Sequence, residues 1–389
     1  MQDAPQGPLS GLLVADFSRI LAGPYATMLL ADLGAEVIKV ESPAGDDTRT
    51  WSPPLRGDRA TYYLSVNRNK RSVVLDLTDP GDLKAARTLA RRCDVLIENF
   101  RPGALERFGL DHATVAAGND RVVYASISGF GDGAGARIPG YDLMVQAISG
   151  LMSLTGDPDG PPYRAGISVF DVVTGLHAAV GILAALHERE RSGRGRRVSV
   201  DLLSSALSGL VNQSGAYAAA GVVPHRMGNA HPSLFPYEPL PTADGDLIVI
   251  AGNDRQFARL CDVLGIPGVA GDPRFARNQD RTARRDELRP HLVRALAART
   301  RAEWFDLLID AGVPCAPINS IAEGVAFAEG LGLGPVVSAG TGEDAVPGVR
   351  HPITFSRGAA RYDLPPPRLG EHTEEIRAWL ESEEDDREP

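Results

Sequence analysis

The sequence predicts an α/β protein in which a large, doubly wound parallel sheet is joined to a smaller second domain. The chain has 389 residues, more than one hydrophobic core normally holds, and this length favours two domains. Short apolar strands alternate with amphipathic helices up to about residue 200, a pattern typical of a parallel sheet with helices on both faces. From about residue 225 turns and helices dominate, which indicates a smaller domain at 226–325.

The first elements form one βαβ unit. The stretch "GLLVADFS" (11–18) predicts a strand, and "PYATMLLADLGA" predicts a helix with Pro24 at its first position and Gly34 at its end. "EVIKVES" predicts the next strand, and a βαβ unit of about thirty residues implies parallel strands joined by a right-handed crossover. The alternation continues with the strands "SVVLDL", "DVLIENF" and "RVVYASIS" and the helices "PGDLKAARTLARRC" and "ALERFG".

The second half of the chain has a different texture. "DGDLIVIAG" predicts a strand, and "DRQFARLCDVLG", "DELRPHLVRALAART" and "AEWFDLLIDAG" predict amphipathic helices. The last sixty residues, with "PVVSAG" and "VRHPITFS", predict strands and extended connections. Periodicity alone does not say whether they rejoin the first domain.

Composition and charge argue against several classes of protein. The formal net charge is −10, and the acidic tail 381–389 supplies half of it, which predicts a solvated chain end. With 6% aromatic residues and no basic stripe, nucleic-acid binding is not expected. No run approaches eighteen apolar residues, so no membrane span is expected. Three distant cysteines and an N-terminus without signal-peptide features predict a cytoplasmic location.

No permanently bound cofactor and no metal are expected either. The glycine-dense turn "SGFGDGAGARIPG" (128–140) runs into Pro139, whereas a dinucleotide fingerprint needs a helix N-terminus there. The sequence has no phosphate-binding loop of the GxxxxGK[ST] type and no closely spaced group of His, Cys and Asp with the spacing of metal ligands.

Two polar loops lie next to predicted strands. The loop "NRNKRS" (67–72) comes just before a strand, and "IENFRPGALERFG" (97–109) follows one. Loops after parallel strands are where α/β proteins bind ligands. The second loop presents Asn99, Phe100 and Arg101, a set that suits a flat base and a phosphate. Ordinary surface loops are the alternative interpretation.

Asp171, in "AGISVFDVVTG", lies between an apolar segment and a long helix with an apolar stripe. Asp is a favoured N-cap, worth about 1 kcal/mol over Ala, and from the residues alone a cap is the favoured interpretation. A cap position would also bring the carboxylate next to helix N–H groups, which keep it ionised. Asp142, His231 and His372 are expected to be structural.

Seven segments of the chain carry a further signal: "LAGPYATMLLADLGAEVIKVESPAGDDTR", "NRNKRSVVLDL", "DVLIENFRPGALERFGL", "PGYDLMVQAISGLMSLTG", "FDVVTGLHAAVGILAALHERERSGRGRRV", "RMGNAHPSLFPY" and "LGEHTEE". Together they resemble the class III CoA transferases (the CaiB/BaiF type), which include formyl-CoA transferase, carnitine CoA-transferase and the α-methylacyl-CoA racemases. The segments occur in the family's order and span nearly the whole chain, from residue 11 to about 374.

The resemblance implies a Rossmann-like large domain built from both chain ends, here 1–200 and 326–389, and a small α/β domain at 226–325. The stretch 201–225 would then link the two domains. It also implies a homodimer whose two subunits are threaded through each other. Acyl-CoA and a carboxylic acid would be the substrates.

The resemblance also assigns site residues. The family's nucleophile falls on Asp171, whose carboxylate would attack an acyl-CoA thioester and form an aspartyl anhydride and then an aspartyl-CoA thioester. The family's small-domain loop falls on Gly228, Asn229 and His231. Its CoA-binding positions fall on Ile20, Arg71, Leu75, Asn99, Phe100, Arg107 and Tyr141.

Three functions are weighed. CoA transfer between carboxylic acids is favoured over racemisation, because the racemase branch carries a His where this sequence has Tyr141. The third is CoA binding without catalysis. Leu21 replaces the Gln of formyl-CoA transferase and "GNAHP" replaces its glycine run, which argues against formyl or oxalyl substrates. "SRILAGP" resembles family members that act on small dicarboxylates such as succinyl-CoA.

Overall fold

The structure is a computed structural model that describes residues 7–382. Its strands are β1 Leu13–Asp16, β2 Glu36–Glu41, β3 Leu55–Arg56, β4 Arg59–Ala60, β5 Lys70–Val74, β6 Val95–Glu98, β7 Val123–Ser128, β8 Arg197–Asp201, β9 Tyr237–Pro241, β10 Asp246–Ile250, β11 Cys315–Pro317, β12 Val336–Ala339 and β13 Val346–Val349. Its α-helices are α1 Ala22–Asp32, α2 Thr61–Ser65, α3 Pro80–Arg92, α4 His112–Gly118, α5 Asp142–Ile148, α6 Leu151–Leu154, α7 Val169–Ser192, α8 Leu202–Gly209, α9 Asn212–Ala220, α10 Asp254–Val263, α11 Pro267–Ala270, α12 Asn278–Ala283, α13 Arg285–Leu296, α14 Arg301–Asp310, α15 Ile321–Gly330 and α16 Thr373–Ser382. The acidic tail of the sequence lies outside the described residues from position 383 onward.

The described chain forms two compact units. The first comprises 7–151, Ala165–Val222 and 334–382, and the second comprises Met152–Arg164 and Val223–Leu333. The predicted linker, 201–225, contains the helices α8 and α9 and falls almost entirely within the first unit. The predicted small domain, 226–325, falls within the second.

A six-stranded parallel sheet forms the centre of the first unit, with the strand order β5-β2-β1-β6-β7-β8. Numbered by their order along the chain, these strands run 3-2-1-4-5-6, the order of nucleotide-binding sheets. The predicted α/β class and parallel sheet are therefore confirmed. The order reverses between β1 and β6, and the crevice outside the carboxyl ends of such neighbours is where these sheets bind ligands.

Alternation along the strands divides the core between the two faces of this sheet. Val14 and Val95 belong to one buried cluster, with helices α1, α5, α7 and α8, whereas Ala15 and Leu96 belong to the other. The second cluster includes residues of α3, α4 and the C-terminal α16. Strand side chains point alternately to opposite faces, so one apolar stretch supplies both layers.

One local prediction is wrong. "ALERFG" is predicted as a helix, but only a 3-10 turn forms at Glu106–Phe108, followed by Gly109 with φ +61°. The helix begins later, at His112, where the Asp111 carboxylate accepts a hydrogen bond from the Thr114 N–H at 3.1 Å. The strands and extended connections predicted for the last sixty residues are present: β12 and β13 form a pair, β13 ends at Val349, and the rest of "VRHPITFS" follows as a connection without helix.

Helix α7 has 24 residues, and among the described residues it is the one helix that is long and apolar enough to cross a membrane by length and composition. Core helices of globular proteins meet the same criterion. In this structure α7 packs against α1, α8 and β8, and its Ala178 and Ile182 are fully buried in the core.

The second unit has an antiparallel sheet in the order β11-β10-β9. "DGDLIVIAG", which is predicted as a strand, forms its central strand β10. Helices α10, α13 and α14 contribute to its buried cluster, which includes Leu260, Leu292 and Trp304.

Candidate active site

A cavity of about 410 Å³ opens at the carboxyl ends of β1, β6 and β7, where the strand order reverses. Four segments line most of it: the loops after these three strands and the start of α7. Ile20, Asn99, Phe100, Tyr141 and Asp171, which the sequence analysis singled out, all lie in its wall.

Asp171 is the third residue of α7 and is therefore not its N-cap, so the predicted cap is wrong. The helix begins at Val169. The cap comes instead from Asp142, whose carboxylate accepts hydrogen bonds from the N–H groups of Phe170 at 2.8 Å and Asp171 at 3.2 Å. Because Asp142 supplies this function, the Asp171 carboxylate is left unengaged: among the described residues, none donates a hydrogen bond to it.

Burial, together with the neighbouring charge of Asp142, raises the pKa of Asp171 to about 7. The expectation that helix N–H groups keep this carboxylate ionised is therefore wrong. The N-terminal N–H groups of α7 are directed to Asp142, and Asp171 experiences burial and like charge instead. A carboxylate with a pKa near neutrality is more basic, and hence more nucleophilic, than an ordinary one.

Helix α5 fixes the segment that leads into Asp171. The Gln146 amide donates to the Asp142 carboxylate at 2.5 Å and to the Ile167 carbonyl at 3.1 Å, and its oxygen accepts from the Ala165 N–H at 2.8 Å. Asp142 is 7% exposed and Gln146 is fully buried. The prediction that Asp142 is structural fits these bonds, and Asp142 is also one of the residues that line the cavity.

The loops after β1 and β6 are fastened to each other. The Asn99 amide oxygen accepts from the Arg19 N–H at 2.9 Å, and the Asn99 amide nitrogen donates to the Arg19 carbonyl at 2.8 Å. The Arg19 guanidinium lies 5.7 Å from the centre of the Phe100 ring and 3.4 Å from Asp47, in an exposed ion pair. Both ends of the Asn99 amide therefore hold the neighbouring loop.

The glycine-dense loop after β7 closes on itself. A Cβ placed on Gly129 would lie 2.4 Å from the Cα of Gly140, so this close approach requires glycine. The next helix, α5, begins only at Asp142, after the whole loop. The loop therefore lacks the strand–turn–helix geometry of a dinucleotide fingerprint.

Three predicted CoA-binding residues lie outside the cavity wall. Arg71 is on β5, two strands away from β1, and pairs with Glu36 and Glu375. Leu75 is buried in the core, and the guanidinium of Arg107 lies over the Phe108 ring at 4.5 Å. Their predicted role stays a prediction.

Gly228, Asn229 and His231 belong to the second unit. Gly228 has φ +60°, and its N–H donates to the Gly156 carbonyl at 3.0 Å. The His231 ring accepts from the Ser233 N–H at 3.0 Å and lies 4.9 Å from the Tyr237 ring. These bonds fit a turn residue, and the loop's predicted part in substrate binding stays a prediction.

Sequence reasoning missed several residues of the cavity wall. Trp51 and Tyr62 pack edge to face at 5.2 Å, and Arg19 supplies a cation. Trp51 lies between the predicted elements and belongs to no motif, and Tyr62 lies shortly before the polar loop 67–72 but outside it. Within residues 7–382 no group of three or more His, Cys, Asp and Glu side chains is placed to hold a metal ion.

Known proteins resemble this chain along almost its whole length. The model of CoA-transferase family III matches residues 9–373. The succinate–glutarate CoA-transferase of Agrobacterium fabrum is 44% identical over 98% of this chain and 98% of its own. The acetyl-CoA:oxalate CoA-transferase of Acetobacter aceti is 44% identical over 82% of each chain. A CAIB/BAIF family protein from Brucella suis has a crystal structure that superposes with a TM-score of 0.86, at 42% identity over 96% of this chain and 100% of its own. The chain therefore belongs to CoA-transferase family III.

Proposed function

We propose that this CoA transferase moves CoA between small dicarboxylic acids through covalent intermediates on Asp171. One observation carries the proposal. Asp171 lies in a cavity at the switch point of the sheet, no residue of 7–382 donates a hydrogen bond to its carboxylate, and its pKa is raised to about 7. A structural carboxylate is normally paired or hydrogen-bonded, whereas a nucleophile must be free to reach its substrate.

The first half-reaction converts the donor thioester into an enzyme thioester. The Asp171 carboxylate attacks the thioester carbonyl carbon, the C–S bond breaks, and CoA leaves as the thiolate. The product is a mixed anhydride between the acyl group and Asp171. The thiolate then attacks the aspartyl carbonyl carbon, the C–O bond to the acyl group breaks, and the donor acid leaves as a carboxylate.

The second half-reaction runs the same steps in reverse with the acceptor acid. Its carboxylate attacks the aspartyl-CoA carbonyl and expels the thiolate, which gives a new anhydride. The thiolate attacks the acceptor acyl carbonyl and releases the Asp171 carboxylate. Each step exchanges one activated carboxyl for another, so no oxidant, metal or net proton is required.

The cavity supports this chemistry with apolar walls and backbone donors. Phe100, Phe130 and Ile138 surround it and limit the access of water, which would hydrolyse an anhydride. Leu21 and Ala22 also line it, at the N-terminus of α1, where no side chain of the described residues caps the first N–H groups. These N–H groups are candidates to stabilise the oxyanion of each tetrahedral intermediate.

A dicarboxylic substrate is supported by charge as well as by the relatives' names. Arg19 and Arg101 are the two cations in the cavity wall. Arg19 pairs with Asp47 at 3.4 Å, and both side chains are about half exposed. Such a pair is weak, so Arg19 can leave Asp47 and bind the second carboxylate of a dicarboxylic substrate at little cost in free energy. Because one relative is named for acetyl-CoA and oxalate, acetyl-CoA and oxalyl-CoA are also tested as substrates in the experiment below.

We also propose the interlocked homodimer that the resemblance implies, in a cytoplasmic location. Helix α7 exposes Leu176, Val180 and Leu183 along one side. Val211, just before α9, and Tyr217, within α9, are exposed as well. An exposed apolar stripe such as the one on α7 is typical of an interface. Threaded subunits cannot exchange without unfolding. Tagged and untagged dimers should therefore form no mixed dimers until they are denatured and refolded together, and ready exchange would contradict the threading.

Mass spectrometry tests the covalent mechanism. The protein is incubated with succinyl-CoA, glutaryl-CoA, acetyl-CoA or oxalyl-CoA and then digested. We expect a CoA or acyl adduct on the peptide that contains Asp171, and exchange of CoA into added glutarate or succinate. Loss of an α-deuterium to solvent without exchange would favour racemisation, and binding without either reaction would indicate a CoA-binding protein.

A further inference from the structure

Ile20 lies in the cavity wall with a backbone conformation that its side chain disfavours. Its φ is +71°, in the left-handed region. A β-branched residue is a genuine outlier there, because its Cβ crowds the following carbonyl. Strain of this kind persists only where the surroundings impose it, and it concentrates at functional sites.

Side chains from three other segments hold the backbone around Ile20. The Ser18 carbonyl accepts from the Lys39 ammonium at 3.0 Å, and Asn99 holds both the N–H and the carbonyl of Arg19. The Ile20 N–H donates to the Asp46 carboxylate, at 3.3 and 3.2 Å to its two oxygens. The loop is therefore fixed from outside rather than by its own residues.

Asp46 is itself fixed by a buried ion pair. Its carboxylate accepts from the Lys39 ammonium at 2.9 Å, and both side chains are fully buried. Burial alone would raise the pKa of Asp46, but the Lys39 charge and the bonds from Thr48 outweigh burial, and the pKa lies below its usual value. Buried ion pairs contribute little net stability, so a role in fixing one conformation explains this pair better than stability does.

We propose that Asp46, oriented by Lys39, is a positioning residue that holds Ile20 in the left-handed conformation and so fixes the loop between β1 and α1 in the shape that the acyl-CoA requires. The link to catalysis rests on the proposed function. The competing explanation is that Asp46 only caps the 3-10 turn Asp47–Arg49, because it also accepts from the Thr48 N–H at 3.0 Å and the Thr48 hydroxyl at 2.7 Å.

A double-mutant cycle separates the two explanations. Glycine adopts positive φ without strain, so Ile20→Gly removes the need for an external clamp. We expect Asp46→Asn to raise KM for the acyl-CoA about tenfold in the wild-type background, but less than about threefold when Ile20→Gly is already present. An equal factor in both backgrounds would overturn the proposal, because a cap of the 3-10 turn is indifferent to residue 20.

Asp32→Asn is the matched control. It breaks another buried ion pair of the same unit, between Arg68 and Asp32 at 2.6 Å, without touching the loop. We expect its KM to stay within twofold of wild type, and a rise equal to that of Asp46→Asn would mean general destabilisation and refute the proposal. Should Asp46→Asn fail to fold, the cycle is run with Lys39→Met and Asp46→Asn combined, which removes both buried charges.

Equilibrium binding of CoA, measured by calorimetry in the same variants, keeps this test independent of catalysis. If wild type binds CoA but transfers nothing, the proposed function fails, while the dissociation constants still report on the loop. We expect Asp46→Asn to raise the dissociation constant for CoA about tenfold in the wild-type background and less than about threefold in the Ile20→Gly background. Equal effects in the two backgrounds would refute the role of Asp46 even if the enzyme is active.

Discussion

The substitution Asp171→Asn should abolish transfer and at the same time stabilise the protein. The pKa of Asp171 rises from its ordinary 3.8 to about 7 on folding. This difference corresponds to about 4 kcal/mol of unfavourable free energy when the carboxylate is ionised in the folded protein. Asn has no charge to bury and loses no bond, because no described residue donates to this carboxylate.

The effect depends on pH in a direction that linkage fixes. Because the folded pKa lies above the unfolded one, the folded state binds more protons between pH 3.8 and about 7, and stability falls as pH rises through this window. Above the folded pKa the full cost is present. The Asn variant should therefore be more stable than wild type by about 2 kcal/mol at pH 5 and by about 4 kcal/mol at pH 8.

Urea unfolding of both proteins, measured at intervals from pH 5 to pH 8, checks this. Transfer by the Asn variant should fall by about three orders of magnitude or more, since the nucleophile is lost. A stability difference that does not change with pH would refute the raised pKa. A normal rate of CoA exchange by the Asn variant would refute the mechanism.

Three further outcomes are expected, two at the same site and one at the exposed face of α7. Asp142→Asn retains an acceptor for the N–H groups at the start of α7 but removes the charge beside Asp171, so the acid limb of the profile of kcat/KM against pH should move to lower pH. Arg19→Leu should raise KM for succinyl-CoA about tenfold relative to acetyl-CoA, because only the former brings a second carboxylate; an equal rise for both would instead indicate contact with CoA itself. Val180→Glu, at a position that is 65% exposed on α7, should prevent dimer formation in light scattering, whereas an unchanged mass would exclude this face from the interface.

Local patterns in the sequence predict the parallel sheet of this protein, but they predict only some of the residues in the site. Alternation of strands and helices is enough to predict the parallel sheet, although the helix predicted to begin at Pro24 begins two residues earlier, at Ala22. Once the sheet is predicted, loops after its strands are expected to meet, and Asn99, Phe100 and Asp171 do line one cavity. Arg71 does not, because its strand joins the sheet at an edge, and strand order is not visible in local patterns.

The remaining features depend on contacts between distant residues. The cap of α7 comes from Asp142, 29 positions before Asp171, so a local capping rule assigns it to the wrong carboxylate. The left-handed conformation of Ile20 is likewise invisible, since a β-branched residue predicts an extended backbone. It is imposed by Asp46, which lies 26 positions away along the chain.

The contact between Gly129 and Gly140 determines which positions of this loop can vary. A Cβ on either residue would collide with backbone of the other, at 2.4 and 2.7 Å, so the two ends of the loop lie against each other and both require glycine. Gly135 is constrained as well, because its Cβ would lie 2.0 Å from the Phe130 carbonyl oxygen. Phe130 and Ile138 lie between the two ends and line the same cavity as Asp171. We therefore expect exchanges of these two side chains to reshape the cavity while the glycines keep the backbone of the loop, and with it the position of the wall opposite Asp171, unchanged.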